Sequence, residues 1–327
     1  MTRRILVTGS IATDHLMDFP GRFTDHLLAD QLHTLSLSVL VDGLTVRRGG
    51  VAANIAIGLA SLGLPPVLVG AVGTDFDDYR TWLHEHRVDI KSVHVSTTQH
   101  TARFVCTTDR DHNQIASFYA GAMTEARDIS LAAVAERVGV PELVVIGPND
   151  PKAMLRYTDD CRRYNYAFAA DISQQLSTVT GAEVRELVEG ARYLFTNAYE
   201  AALLLRTARW QHHEVLARVG FWITTHGASG VTIEQAGHPT ITVPAVSAKQ
   251  ALDPTGVGDA FRAGFLWGRV HRLSLARAAQ AGCTLATIVL ETTGAQNYRL
   301  DRTAFSDRVA RTYGGIAAAD IESKLRI

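Results

Sequence analysis

Short apolar runs rich in β-branched residues recur along most of this chain, and a helix-like stretch separates nearly every pair of them. The runs are "RILVTGS" (4–10), "PVLVGAVG" (66–73), "ELVVIGPND" (142–150), "YAFAADIS" (166–173), "RYLFTN" (192–197) and "FWITTHG" (221–227). Between them lie amphipathic segments such as "AANIAIGLASLG" (52–63), "PKAMLRYTDDCRRYN" (151–165) and "GAEVRELVEGA" (181–191). Parallel strands need a long crossover between them, and a helix supplies it, so this alternation predicts a parallel sheet covered by helices on both faces. Nearly every run also ends in polar residues: Thr8 and Ser10, Asn149 and Asp150, Asp171 and Ser173, Asn197, Thr224 and Thr225. Those ends are the carboxyl ends of parallel strands, where open α/β sheets place their ligands.

Two segments break the alternation. Residues 31–46, "QLHTLSLSVLVDGLTV", and 101–119, "TARFVCTTDRDHNQIASFY", alternate with a period of two and have no helix between strands. The second has a polar turn at Asp109 to Asn113 and predicts a hairpin. Together they predict a small antiparallel sheet outside the main fold, placed as a lid.

A chain of 327 residues with 46% hydrophobic residues can bury a large core in one large or two modest domains. The net charge is −1, without the basic excess expected of a nucleic-acid or anionic-membrane partner. Cys106, Cys161 and Cys283 are scattered and odd in number, which suits reduced thiols in a cytoplasm better than a disulfide framework. No apolar stretch reaches the length of a signal-peptide core or a membrane span, so a cytoplasmic protein is expected. Neither His84 and His86 nor His212 and His213 has the spacing that aims two imidazoles at one ion.

Chemistry concentrates in two glycine-opened helix starts. In "DPTGVGDAFRAGF" (253–265), Gly256, Val257 and Gly258 lead into a helix with Ala260, Phe261, Gly264 and Phe265 on one apolar face. The free N–H groups of such a start bind anions, and Asp259 places a carboxylate beside them. In "RRGGVAANIAIG" (47–58), Gly49 and Gly50 allow a close backbone approach, and Asn54 lies about one turn in, pointing back to the helix start. The P-loop, the dinucleotide-binding glycine fingerprint and the protein-kinase H-R-D motif are all absent.

The pair of motifs, G-G-x-x-x-N followed by D-P-T-G-x-G-D, resembles the two signatures of the ribokinase-like (PfkB-type) carbohydrate kinases, with one inserted proline in the second. The resemblance covers essentially the whole chain. It implies an α/β fold with a mainly parallel central sheet, helices on both faces and a small antiparallel β lid. It divides the chain into a large nucleotide- and substrate-binding domain (1–14, 48–98 and 120–327) and a lid (15–47 and 99–119). "GSIATDHL", "HTARFVCTTD", "QIASFYAGAM" and "DPTGVGDAFRAGF" look like the bacterial adenosine kinases more than the sugar kinases of that family. The resemblance thus implies ATP-dependent phosphorylation of the adenosine 5′-hydroxyl, giving AMP and ADP in purine salvage. A ribose- or fructose-type sugar kinase or another nucleoside kinase is the alternative within the family. A non-catalytic nucleotide-binding regulator is the alternative of another class.

The resemblance also assigns residues. Asp259 is the base that takes the 5′-hydroxyl proton, and the N–H groups of Gly256, Val257 and Gly258 form the anion hole. Ser10, Asp14, Gly49, Gly50 and Asn54 fall on the substrate side, with Asp14, Gly50 and Asn54 at the ribose diol and Phe104, Phe118 and Gln174 at the nucleobase. Asn197 and Glu200 match an N-x-x-E motif that handles Mg²⁺ and phosphates through water; Thr225, Gly227 and Gly230 match the loop that approaches ATP. Asp253 falls where related kinases carry a K⁺ loop, and a homodimer through the lid is expected by the same analogy. His226, Ala198 and Ile172 depart from the family pattern. A carboxylate of ordinary pKa, about 4, cannot prepare an alkoxide beforehand. In phosphoryl transfer it can orient the hydroxyl and receive its proton late.

Overall fold

The computed structural model describes residues 4–27 and 36–327. In chain order the strands begin with β1 (Ile5–Thr8), β2 (Ala12–Asp18), β3 (Gly43–Gly49), β4 (Val67–Val72), β5 (Asp89–Val95), β6 (Ala102–Thr108) and β7 (Gln114–Tyr119). They continue with β8 (Leu143–Ile146), β9 (Phe168–Asp171), β10 (Tyr193–Asn197), β11 (Phe221–Thr225), β12 (Val231–Glu234) and β13 (Ile241–Val243).

The central sheet has nine strands in the order β13-β12-β11-β10-β9-β8-β1-β4-β5. From β11 to β5 every pairing is parallel, and the six apolar runs of the sequence form the contiguous stretch β11 to β4. Two short antiparallel strands, β12 and β13, extend one edge. Strand side chains alternate between faces, and the core divides accordingly. Ile5, Val7, Leu143 and Val145 face a layer built from the helices Val51–Ser61, Val257–Val270 and Leu275–Leu290. Leu6, Val144 and Ile146 face the other layer, with the helices Pro151–Arg163, Gly181–Val188 and Ala198–Ala208.

β4 and β5 lie on one side of β1, and β8 to β11 lie on the other. The switch point, where such sheets open a crevice beyond the strand ends, therefore falls between β1 and β8. The segments leaving those two strands are held together there, with Ser10 N–H donating to the Pro148 carbonyl at 2.9 Å and Gly147 N–H to the Thr8 carbonyl at 2.9 Å. Just beyond, the chain enters the second sheet at Ala12, so this sheet grows out of the crevice.

Among the described residues that sheet has four strands, β3-β2-β6-β7. The outer pairs are antiparallel, as expected, but the central pair β2 and β6 is parallel. The hairpin forms as read: Asp109 closes its turn by accepting the N–H groups of Asp111 and Asn113. Sheet pairing carries the strands past the expected 14/15 and 47/48 boundaries, to Ala12 and Gly49. In the stretch read as a strand over 31–46, residues 31–35 lie outside the described residues. Residues 36–42 carry no strand, and β3 begins only at Gly43. Leu37, Val39 and Val41 are part-buried in alternation, but the segment pairs with no strand of either sheet, and Leu40 on the other phase is 84% exposed.

Candidate active site

The helix Val257–Val270 opens at Gly256, whose φ of 75° lies in the left-handed region. A Cβ at Gly256 would also sit 2.4 Å from the Ala295 Cβ, so conformation and space both require glycine. The first N–H groups of a helix have no carbonyl of their own helix. Here they face the crevice, although Val257 N–H makes a long bond of 3.3 Å to the Pro254 carbonyl.

Asp259 stands in the first turn and is buried. It accepts a hydrogen bond from Asn54 Nδ2 at 2.8 Å, which joins the two glycine motifs directly. Burial pushes its carboxyl up to about 7; the Arg262 guanidinium and the Asn54 amide oppose the rise, and the carboxylates of Asp171 and Glu200 add to it. The ordinary carboxylate pKa assumed from the sequence is thus corrected. Asp259 is matched to accepting a proton near neutral pH.

Asn54 sits on the helix Val51–Ser61, whose N-cap Gly50 offers no side chain. Ser10 supplies the missing cap from the end of β1, its Oγ accepting the Val51 N–H at 3.0 Å. On β2, Asp14 lies against Gly49, where a Cβ would come within 2.6 Å of Asp14 Oδ2. Burial raises the Asp14 carboxyl to about 6, with Arg47 opposing and Asp253 adding to the rise. In register, Asp14 pairs with Arg47 on β3 and Phe104 on β6, and Phe104 pairs with Phe118 on β7. Directly paired residues share a face, so Arg47, Asp14, Phe104 and Phe118 form one row across the small sheet.

Arg47 connects this row to the glycine loop. Its Nη1 contacts Asp253 Oδ2 at 2.6 Å, and Asp253 also accepts the N–H groups of Gly294 and Thr255, both at 2.9 Å. Asp253 thus already faces a fixed cation, and these partners hold its carboxyl below the usual range despite partial burial. On the other side of the loop, a cavity of about 480 Å³ is lined by Thr225, Gly227 and Gly230 together with Val257 and Gly258. Phe261, Val246, Ala286 and Leu290 make much of the rest apolar, suited to a flat base. The His226 ring turns instead to Thr232 Oγ1 at 3.0 Å; Ala198 is exposed and Ile172 is core.

The N-x-x-E motif has a local role. Glu200 N–H donates to Asn197 Oδ1 at 2.8 Å and Asn197 N–H to Glu200 Oε2 at 2.7 Å, a reciprocal cap on the helix Ala198–Ala208. Glu200 remains part-buried, and burial raises its carboxyl, Asp171 adding to the rise. Among the described residues, no group of three or more His, Cys, Asp or Glu is arranged to hold a metal ion. Gln174 is exposed on the turn after β9 and shares no hydrogen bond with the row on the small sheet among the described residues.

Sequence reasoning missed Arg262, one turn after Asp259. Its guanidinium is paired with Asp171, Nη2 donating to Oδ1 at 2.8 Å and Nε in ion-pair contact with Oδ2 at 2.6 Å, and both residues are buried. Ser173, held in the left-handed region at φ 47°, adds its hydroxyl to Asp171 at 2.9 Å. An arginine at the fourth position of a buried helix turn was the available signal, since such a charge needs a partner.

A carboxylate at an open helix start, beside an apolar base-sized cavity and a carboxylate-bearing sheet, is the arrangement of a phosphotransferase. The pfkB family carbohydrate kinase model matches residues 11–302, and the chain belongs to that family. Among curated proteins it is similar to the nucleoside kinase of Methanocaldococcus jannaschii, 30% identical over 76% of this chain and 80% of that one. It is also similar to the nucleoside kinase of Methanothermobacter thermautotrophicus, 28% identical over 90% and 91%. Among solved structures, the Burkholderia thailandensis nucleoside kinase in complex with inosine superposes with a TM-score of 0.84, at 32% identity over 95% of this chain and 99% of that one.

Asp259→Asn separates the chemistry of this site from its stability. A carboxyl raised to about 7 when folded, against about 4 unfolded, contributes stability at low pH that is lost as pH rises towards 7. The variant should therefore be inactive in single-turnover transfer, yet melt higher than the wild type at pH 8. Differential scanning calorimetry should show that advantage shrinking at pH 5; equal melting points at both pH values would contradict it.

Proposed function

We propose that this protein is an ATP-dependent nucleoside kinase that phosphorylates the 5′-hydroxyl of purine nucleosides, adenosine among them, giving the nucleoside monophosphate and ADP. The row Asp14, Phe104, Phe118, tied through Arg47 to the loop that bears Asp259, carries this reading. Its carboxylate accepts hydrogen bonds only and suits a cis-diol, and two aromatic rings beside it suit a purine. A ribose or fructose has no use for the aromatic pair. The inosine complex of the Burkholderia relative supports the purine reading, as does its complex containing ADP and inosine for the nucleotide donor.

In this mechanism the nucleoside lies under the lid with its ribose on Asp14 and Asn54. Asp259 orients the 5′-hydroxyl and takes its proton as the O5′–phosphorus bond forms and the bond to the ADP oxygen breaks. The N–H groups opening the helix at Gly256 and Gly258 hold the charge on the transferring group. Mg²⁺ bound with the nucleotide would neutralise phosphate charge, and Glu200 is the carboxylate that would face its water shell.

Three questions test this reading, and the first concerns the substrate. ADP release with adenosine, inosine, ribose and fructose should favour the nucleosides, and comparable rates with a free sugar would sink the proposal. Asp14→Ala should lower kcat/KM for adenosine by about 10- to 150-fold, the range for a lost hydrogen bond to a charged group. It should also erase most of the preference for adenosine over 2′-deoxyadenosine; equal loss on both would remove Asp14 from the diol.

The second concerns K⁺. Because Arg47 already places a cation on Asp253, turnover should be the same when K⁺ is replaced by a large organic cation. A strong K⁺ requirement would show that the loop needs a second positive charge.

The third concerns assembly. The face of the small sheet opposite the aromatic row bears Leu44, Val46 and Ile115, which are 63%, 54% and 51% exposed. A second copy of the chain pairing lid to lid would cover them. Light scattering should find a dimer for the native chain and a monomer for Leu44→Asp with Ile115→Lys; an unchanged mass would exclude this face.

A further inference from the structure

Behind Asn54 runs a chain of hydrogen bonds that leaves the site and ends at an indole. Gln296, 2% exposed in the loop after the helix Leu275–Leu290, donates through Nε2 to Asn54 Oδ1 at 2.8 Å and to the Tyr79 hydroxyl at 2.6 Å. Its Oε1 accepts Trp82 Nε1–H at 3.1 Å. Tyr79 and Trp82 are three residues apart on the helix Asp77–Glu85, hence on one face. The Tyr79 hydroxyl in turn donates to the Gly49 carbonyl at 2.8 Å.

An amide side chain can be turned over, exchanging its donor and acceptor ends, at little cost to packing. Here neither amide is free to turn. An indole N–H can only donate, so the end of Gln296 facing Trp82 must be its oxygen. Tyr79 has one proton and gives it to Gly49, and burial keeps that phenol un-ionised, so Tyr79 can only accept from Gln296. Both partners therefore demand the same orientation. With Nε2 of Gln296 towards Asn54, Asn54 must present its oxygen to Gln296 and its NH₂ to Asp259. Turned over, Asn54 would oppose its carbonyl oxygen to the Asp259 carboxylate, acceptor against acceptor, and favour the protonated acid.

We infer that Trp82, Tyr79 and Gln296 are positioning residues that act through Asn54 to keep a donor on Asp259, and so hold Asp259 ready to receive the substrate proton. This rests on Asp259 being the base. The other groups facing Asp259 are Arg262 on its own helix, Asp171 at the end of β9 and Glu200 on the helix after β10. None of these is bonded to Trp82, Tyr79 or Gln296.

The test follows the acidic limb of kcat/KM for adenosine with saturating MgATP. The wild type should lose activity as pH falls through about 7. Trp82→Phe keeps a ring but removes the N–H, and Tyr79→Phe removes the hydroxyl. Gln296→Glu replaces the donor end by an acceptor. Each should move the limb to higher pH, by about one unit for Gln296→Glu, since a lost hydrogen bond to a charged group corresponds to one to two pKa units. ATP KM should stay within about twofold, as expected of an effect confined to the proton-transfer step. In an Asn54→Ala background the two neutral changes, Trp82→Phe and Tyr79→Phe, should leave the limb where Asn54→Ala alone puts it, because nothing remains to be oriented.

A limb unmoved by Trp82→Phe and Tyr79→Phe in chains that melt normally would overturn the inference, as would shifts of equal size in the Asn54→Ala background. Should Gln296→Glu fail to fold, the two phenylalanine variants decide the matter. A wild type with no acidic limb would instead count against Asp259 as the base.

Discussion

Burying Asp259 is the condition on which the rest of the site is arranged. Removing a carboxylate from water is costly, and a bare one in this position would simply take up a proton. The structure answers with compensation from three directions: the Asn54 amide, the Arg262 guanidinium and the open helix start. Arg262 would itself be an unpaired buried charge without Asp171, and Asp171 closes that account with both oxygens. The result is a carboxyl shifted far enough to hold a proton near neutrality and not so far that it keeps it. The central sheet makes this arrangement available by ending its parallel strands at one edge, so that groups distant in sequence meet there.

Much of the fold was legible because the six apolar runs are the middle of the sheet. Their residues are buried on both faces, so hydrophobicity alone marks them. β12 and β13 went unread for the opposite reason. They are short and lie at an edge, so Val231–Glu234 and Ile241–Val243 alternate over too few residues to stand out. The stretch 36–42 misled because Leu37, Val39 and Val41 alternate and are part-buried, yet the backbone there pairs with no strand. The hairpin of β6 and β7 was legible from its turn, since the Asp109 side chain accepts the N–H groups of Asp111 and Asn113 just after it.

The site was legible where a motif is local and opaque where two segments meet. Gly256, Gly258 and Asp259 lie within one turn of chain, and Gly49, Gly50 and Asn54 within another. That Asn54 bonds to Asp259 across 205 positions could be guessed only through family likeness. The pairs Arg47 with Asp253 and Arg262 with Asp171 have no sequence signature at all. Ser10, Asn197 and Glu200 show the converse: each also serves a helix end, so a motif position can have a structural duty beside any chemical one.

The two halves of the small sheet are wired to the large one differently. β3 runs straight into Gly50 and the helix that bears Asn54, whereas β6 and β7 return to the main body through residues 120–122, with Ala122 N–H on the His100 carbonyl. On the proposed reading, proton handling hangs on the first connection and the aromatic contacts hang on the second. Sequence drift in the hairpin can then alter which heterocycle is retained while the catalytic carboxylate keeps its neighbours. Such a division of attachment points is a structural basis for a lineage of kinases to diversify its substrates faster than its chemistry.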